Sequence, residues 1–202
     1  MTALPIEWQE AVAIVTMCGI FVALSQFGVK LWQDRREFRR KQAQKAVDVI
    51  TEIQRDGDSS QALMMLDYFG RPFDVPNFER VQIEPRHIVV GLRCDEPAGH
   101  EYGNLSPVDI YIRDVFDHFL TQFENVTNMV DVGLVRWSEI DRCFGYYLAI
   151  MRSTAYRDVF EKFCTKYGYF GVGAVITDEK RFPSKHRNIH PWLDKLVEVN
   201  TP

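Results

Sequence analysis

The chain has 202 residues, 46% of them hydrophobic and 26% charged, with a formal net charge of −4. That composition excludes a disordered, collagen-like or low-complexity protein. Four dispersed cysteines (18, 94, 143 and 164) exclude a disulfide scaffold or zinc ribbon, and the mild acidity excludes a general nucleic-acid binder.

The charge is strongly segregated. Residues 1–29 hold Glu7 and Glu10 and no base, whereas residues 30–45 hold seven bases and two acids. The remaining 157 residues carry 17 bases and 24 acids, so a −2 N-terminus, a +5 collar and a −7 body together make the overall −4. From Ala11 to Val29 there are 19 consecutive uncharged residues, among which Thr16, Ser25 and Gln26 are the polar types. A helix of about 20 such residues crosses the ~30 Å hydrocarbon layer of a bilayer. Trp8 and Trp32 flank the run as interfacial aromatics do. The collar, Lys30, Arg35, Arg36, Arg39, Arg40, Lys41 and Lys45, lies only on the C-terminal side. The positive-inside rule therefore puts Met1 outside and the body in the cytoplasm, with the collar on anionic headgroups. An acidic start disfavours a secretory signal peptide. An interfacial helix is the competing reading.

No proline or glycine interrupts residues 29–56, so the span is expected to run on into a basic helix. Ala43, Ala46, Ile50 and Ile53 form a narrow apolar stripe suited to a neighbouring helix or a second copy of the chain. Asp56-Gly57-Asp58 closes this helix, and Ser59 or Ser60 is read as the cap of a second one with Ala62, Leu63, Leu66 and Phe69 inward. Residues 70–107 contain five prolines and are expected to hold short helices, with Ile88-Val89-Val90 open between strand and helix.

The strongest helix follows. Ser106-Pro107-Val108-Asp109 is a start signal, and apolar residues from Val108 to Val130 keep a 3.6-residue period until Gly133. Ser138 with Asp141 repeats the capping pattern, and a second apolar stripe runs to Gly168 as one helix, making an antiparallel hairpin with the first. In 168–175, GYFGVGAV lacks the Gly-Lys-Ser/Thr of a phosphate loop and reads as a helix end and tight turn. A basic patch (Lys180 to Arg187), suited to lipid headgroups or RNA, and a short helix opened by Pro191 complete the chain. The expected fold is all-α: span, 1–32; basic juxtamembrane helix, 33–58; cytoplasmic helical domain, 59–202.

Two stretches carry a family likeness: WQDRREFRRKQAQKAVDVI after the span, and FDHFLTQFENVTNMVDVGLVRWSEIDRCFGYYL across the two amphipathic helices. With them the chain resembles uncharacterised bacterial single-span proteins with a cytoplasmic helical domain, some labelled as phage abortive-infection proteins. The resemblance implies an inner-membrane protein in a phage-defence setting and brings no catalytic residues. Separately, Arg113-Asp114-Val115-Phe116-Asp117-His118 resembles the active motif of HEPN-type ribonucleases, small helical domains that pair two such motifs as dimers. There His118 would act as general acid or base while Arg113 stabilised phosphorane charge. Asp114 with His118, and His186 with His190, have i,i+4 spacing but lack a third metal ligand nearby. Cys143 and Cys164 read as packing residues. The sequence thus favours a non-enzymatic interaction or effector module without cofactor or metal. Its rivals are a tethered HEPN-like ribonuclease and an accessory subunit of a larger membrane complex.

Overall fold

The computed structural model describes residues 6–67, 70–76, 78, 80–94 and 105–184, with side chains from residue 15 onward. Phe69, His186, His190, Lys185, Arg187 and the Pro191 segment lie outside the described residues. Among those described, the fold is all-α: seven helices and one two-stranded antiparallel hairpin, β1 (Pro72–Phe73) with β2 (Val81–Gln82).

The first helix, α1 (Ile6–Arg55), is continuous over 50 residues. Inside it the chain divides into two compact units, Met1–Gln42 and Ala43–Pro202. Burial explains the position of that division. Residues 15–41 are exposed throughout, whereas Ala46, Val49, Ile50 and Ile53 are buried in the core of the second unit. The 43–53 stripe is therefore covered by this chain itself, not left for a second one, and Val47 alone of its apolar neighbours is half exposed. The body accordingly begins well before residue 59.

Asp56 separates α1 from α2 (Gly57–Asp67). Its carboxylate accepts the Ser59 backbone N–H at 2.9 Å, so Asp56, and not Ser59 or Ser60, caps α2. Ser59 is fully buried. In the proline-rich segment α3 (Pro85–Gly91) forms with Pro85 at its first position, which settles Ile88-Val89-Val90 as helix.

The central element is α4 (Pro107–Asp131). Ser106 Oγ accepts from Asp109 N–H at 3.2 Å while Asp109 Oδ2 accepts from Ser106 N–H at 3.1 Å, a reciprocal capping box. Its apolar stripe is buried from Ile112 to Val126, and Gly133, at φ 75°, ends the helical run. After residues 132–136 comes α5 (Trp137–Met151), with Arg136 at the N-cap position and no side-chain cap; Ser138 is not the cap, and Asp141 is buried inside the helix. Phe144 of α5 packs against both Phe119 and Phe123 of α4, with ring centroids 6.0 and 5.4 Å away.

The expected single helix to Gly168 is two helices. α5 stops at Met151, and α6 (Arg157–Tyr167) starts after a turn at residues 152–156. The break places Tyr156 in the core and turns Arg152 and Arg157 toward α7 (Phe170–Thr177). Gly168 adopts the left-handed end, φ 82°, but Gly171 and Gly173 lie inside α7 and not in a turn.

α7 is held at both ends by side chains from other helices. At its N-terminus the Glu124 carboxylate of α4 accepts the Gly171 and Val172 N–H groups, each at 2.9 Å. At its C-terminal end Arg152 donates to the Val175 carbonyl at 3.0 Å, and Arg157 to the Thr177 carbonyl at 3.2 Å. Acid at the positive end and bases at the negative end complement the helix dipole. Gly171 permits the approach: a Cβ there would lie 2.1 Å from Thr127 Oγ1. Glu124→Gln keeps the shape but replaces one accepting oxygen by a donor that faces an N–H. We expect it to cost about 1–3 kcal/mol, seen as a lower midpoint in urea unfolding. An unchanged midpoint would refute the capping role.

Candidate functional site

Two places in the chain bear on function: the exposed part of α1, and the face of α4 that carries Arg113 and His118.

Along α1, apolar side chains stand free over most of the helix surface. Ile20, Phe21 and Val22, then Phe27, Val29, Leu31 and Trp32, are between 43% and 73% exposed. At about 100° per residue these positions cover well over half of the circumference, and the remaining sector holds Thr16, Gly19, Ala23 and Gln26, none of them charged. The bases behave alike: Lys30, Arg35, Arg36, Arg39, Arg40, Lys41 and Lys45 are all exposed and surround the helix as a ring. A helix lying in the membrane plane needs an apolar face and a charged face, which this pattern lacks. The Arg36 guanidinium sits 5.3 Å over the Trp32 ring, joining that ring to the collar. Glu37 pairs with Lys41 at 2.8 Å one turn on. Within the uncharged run, Ser25 Oγ donates to the Phe21 carbonyl at 2.8 Å, so that hydroxyl has its partner on its own helix. The described part of α1, Val15–Arg55, contains a window with mean hydropathy 1.4 and none of it buried. It is a helix long and apolar enough to cross a membrane.

The second place separates the residues that the sequence put together. Arg113 is 3% exposed. Its Nε donates to the Gly91 carbonyl at 2.8 Å, and its two terminal nitrogens donate to the Arg93 carbonyl at 2.5 Å and the Tyr167 hydroxyl at 3.2 Å. The guanidinium also lies 5.9 Å over the Phe163 ring. Arg113 thus fastens the C-terminal end of α3 and the following loop to α4 and α6. His118 points elsewhere. Its Nε2 lies 3.0 Å from Asp56 Oδ2, an ion-pair contact at the α1–α2 junction, not aligned as a hydrogen bond. Five positions apart on a helix, the two side chains leave it about 140° apart, so within one chain they do not converge on a common substrate atom. Asp114 is exposed beside them, and Asp117 accepts the Tyr169 hydroxyl at 2.6 Å. Burial, together with this hydrogen bond, pushes the Tyr169 phenol up to about 12.

Asp56 is held below the ordinary carboxylate range, first by the Ser59 backbone N–H, then by the Ser59 hydroxyl and by His118. A depressed folded pKa gives stability that is present above the unfolded value of ~3.9 and is lost as pH falls through the folded value. Thermal unfolding should therefore show wild type losing more stability than Asp56→Asn as pH falls from 5 toward 3. Parallel pH profiles would refute this.

Of the cysteines, Cys164 is buried, and burial with nearby Glu124 pushes its thiol up to about 12, which suits packing and not nucleophilic chemistry. Cys143 is exposed, contrary to its reading as a packing residue, because α5 turns that side to solvent. Among the described residues no group of three or more His, Cys, Asp or Glu is placed to hold a metal ion. Spacing along the chain gave no sign of Glu124, Arg152 or Asp56, whose partners lie on other elements.

The class these observations define is an all-α protein with, among the described residues, one helix long and apolar enough to span a bilayer. No family model, curated protein or solved structure matches the chain.

Proposed function

We propose that the chain is a single-span membrane protein whose helical body serves as a non-enzymatic interaction or effector module on the cytoplasmic face of the inner membrane. The observation that carries this reading is the uncovered apolar run of α1 closed by a ring of bases. Leaving so many large apolar side chains in water is unfavourable by roughly 25 cal/mol for each Å² of apolar surface, and a bilayer removes that cost. The ring supports a transverse helix, and its place on the C-terminal side supports a cytoplasmic body through retention of Lys and Arg. A phage-defence setting is the role proposed with it, resting on the family resemblance.

The test has two arms. Membranes from expressing cells are washed with alkaline carbonate, and reporters active on only one side of the membrane are fused to either terminus. The reading expects the chain in the washed pellet, with the C-terminal reporter active only as a cytoplasmic fusion. A carbonate-extractable chain would refute the span, and a periplasmic C-terminus would refute the orientation.

A further inference from the structure

The sector of α1 left open by its large apolar side chains carries an amide without a partner. At about 100° per residue, Gly19, Ala23 and Gln26 fall within about 60° of one another on the continuous helix. Of the polar side chains in the uncharged run, Ser25 is bonded to the Phe21 carbonyl, and Thr16 also has a partner in the chain. The exposed Gln26 carboxamide has none among the described residues. Beside it, a Cβ placed on Gly19 meets nothing within 4 Å, so nothing described in the chain fills that notch.

Within a span, Gln26 is surrounded by hydrocarbon. It lies about 9 Å from Ile20 along the axis at about 1.5 Å per residue, inside a half-layer of about 15 Å. With Met1 outside, the tilt of helical side chains toward the N-terminus leans Gln26 away from the collar and into the lipid. An amide left there unpaired is costly, and lipid tails supply no partner. A second copy inserted the same way brings an identical carboxamide to the same depth. Each carboxamide both donates and accepts, so two of them related by a two-fold axis can bond to each other. Gly19 and Ala23 let the two backbones approach, because neither interposes a long side chain. Beyond the run the same side of α1 continues through Lys30, Asp34, Glu37 and Lys41. Both acids of the collar thus stand on it, whereas Arg35, Arg36 and Arg39 lie on the far side. Copies seated there meet acids together with bases, and the arginine side stays free for headgroups.

We propose that two copies of the chain pair in parallel through the Gly19, Ala23 and Gln26 face of α1, with their Gln26 carboxamides hydrogen-bonded to each other. This pairing rests on the membrane reading above and needs no contact between the bodies.

The test uses full chains carrying a donor or an acceptor fluorescent protein at the C-terminus, mixed in liposomes. Flotation in alkaline carbonate reports the span, and energy transfer at increasing dilution in lipid reports the pairing. Wild type is expected to float and to keep transferring energy as lipid is added. Gln26→Leu should weaken association about 3- to 20-fold, the range that interhelical polar bonds cover in membranes. Gly19→Ile, which fills the notch, should abolish it. Ser25→Leu and Gly28→Ile should pair as wild type, because Ser25 lies about 120° and Gly28 about 180° from Gly19. Gly28 tests bulk alone, since a Cβ there also meets nothing within 4 Å. Floating chains without energy transfer, or with transfer that all four variants leave unchanged, overturn the pairing and leave the anchor standing. Equal losses in all four variants overturn the assigned face. Chains that do not float overturn both the pairing and the span. A different membrane protein held through Gln26, with no transfer between copies, overturns the second copy as occupant.

Discussion

A chain carrying Ile20→Arg leaves the membrane fraction. Ile20 lies at the middle of the uncharged run and is 55% exposed on α1, so nothing in the chain shelters a charge there. A centrally placed Arg costs about 2.5–3.5 kcal/mol on insertion scales, which lowers the inserted-to-released ratio by roughly two orders of magnitude. The run already includes Thr16, Ser25 and Gln26, so it has less margin to absorb this than an all-apolar span would have. The body should be unaffected, since its buried core begins at Ala46. Carbonate-washed pellets compared for wild type, Ile20→Leu and Ile20→Arg measure the effect. An Ile20→Arg chain that stays in the pellet as wild type does would overturn the span.

Arg113→Ala lowers the stability of the body by about 3–5 kcal/mol, whereas His118→Ala costs under about 1 kcal/mol, although the two belong to one sequence motif. Removing the guanidinium leaves the Gly91 and Arg93 carbonyls and the Tyr167 hydroxyl without their buried donor, and takes the Phe163 ring contact with it. Each carbonyl so orphaned costs about 1–3 kcal/mol. Lysine is a poor substitute, because one ammonium does not reproduce the planar fork that reaches three acceptors, so Arg113→Lys should recover less than half of the loss. His118, by contrast, is 40% exposed against a partner that is 35% exposed, where solvent screens the pair. Denaturant midpoints of the three variants measure the difference. Equal losses for Arg113→Ala and His118→Ala would refute the structural role assigned to Arg113. Near-native stability for Arg113→Ala, with loss of some activity, would return the motif to the ribonuclease reading.

What was legible in the sequence were features whose cause is local or periodic. The α4 start at Ser106–Asp109 was readable because both partners of the capping box lie three residues apart. The apolar stripe of α4 was readable because one helix face carries it, and Gly133 and Gly168 because a positive φ suits glycine. The uninterrupted α1 followed from the absence of proline and glycine over residues 29–56. Features with distant causes were not legible. The split of α5 from α6 is stabilised by Arg152 reaching Val175, 23 residues on. Asp56 competes with Ser59 and Ser60 for the α2 cap, and capping propensity does not distinguish them. Nothing in the spacing singles out Glu124, whose carboxylate receives the first N–H groups of α7 from 47 and 48 residues on.

The sequence by itself therefore determined the helical class, the long first helix, and the segregation of an uncharged run, a basic collar and an acidic body, because periodicity and charge are properties of the chain alone. Only the tertiary structure decided that the 43–53 stripe is consumed by the body's own core. It also decided that Arg113 is a buried fastening apart from His118. The physical reason is the same in each case: which face of a helix is covered depends on elements that arrive from elsewhere in the chain, and spacing along one helix carries no information about them.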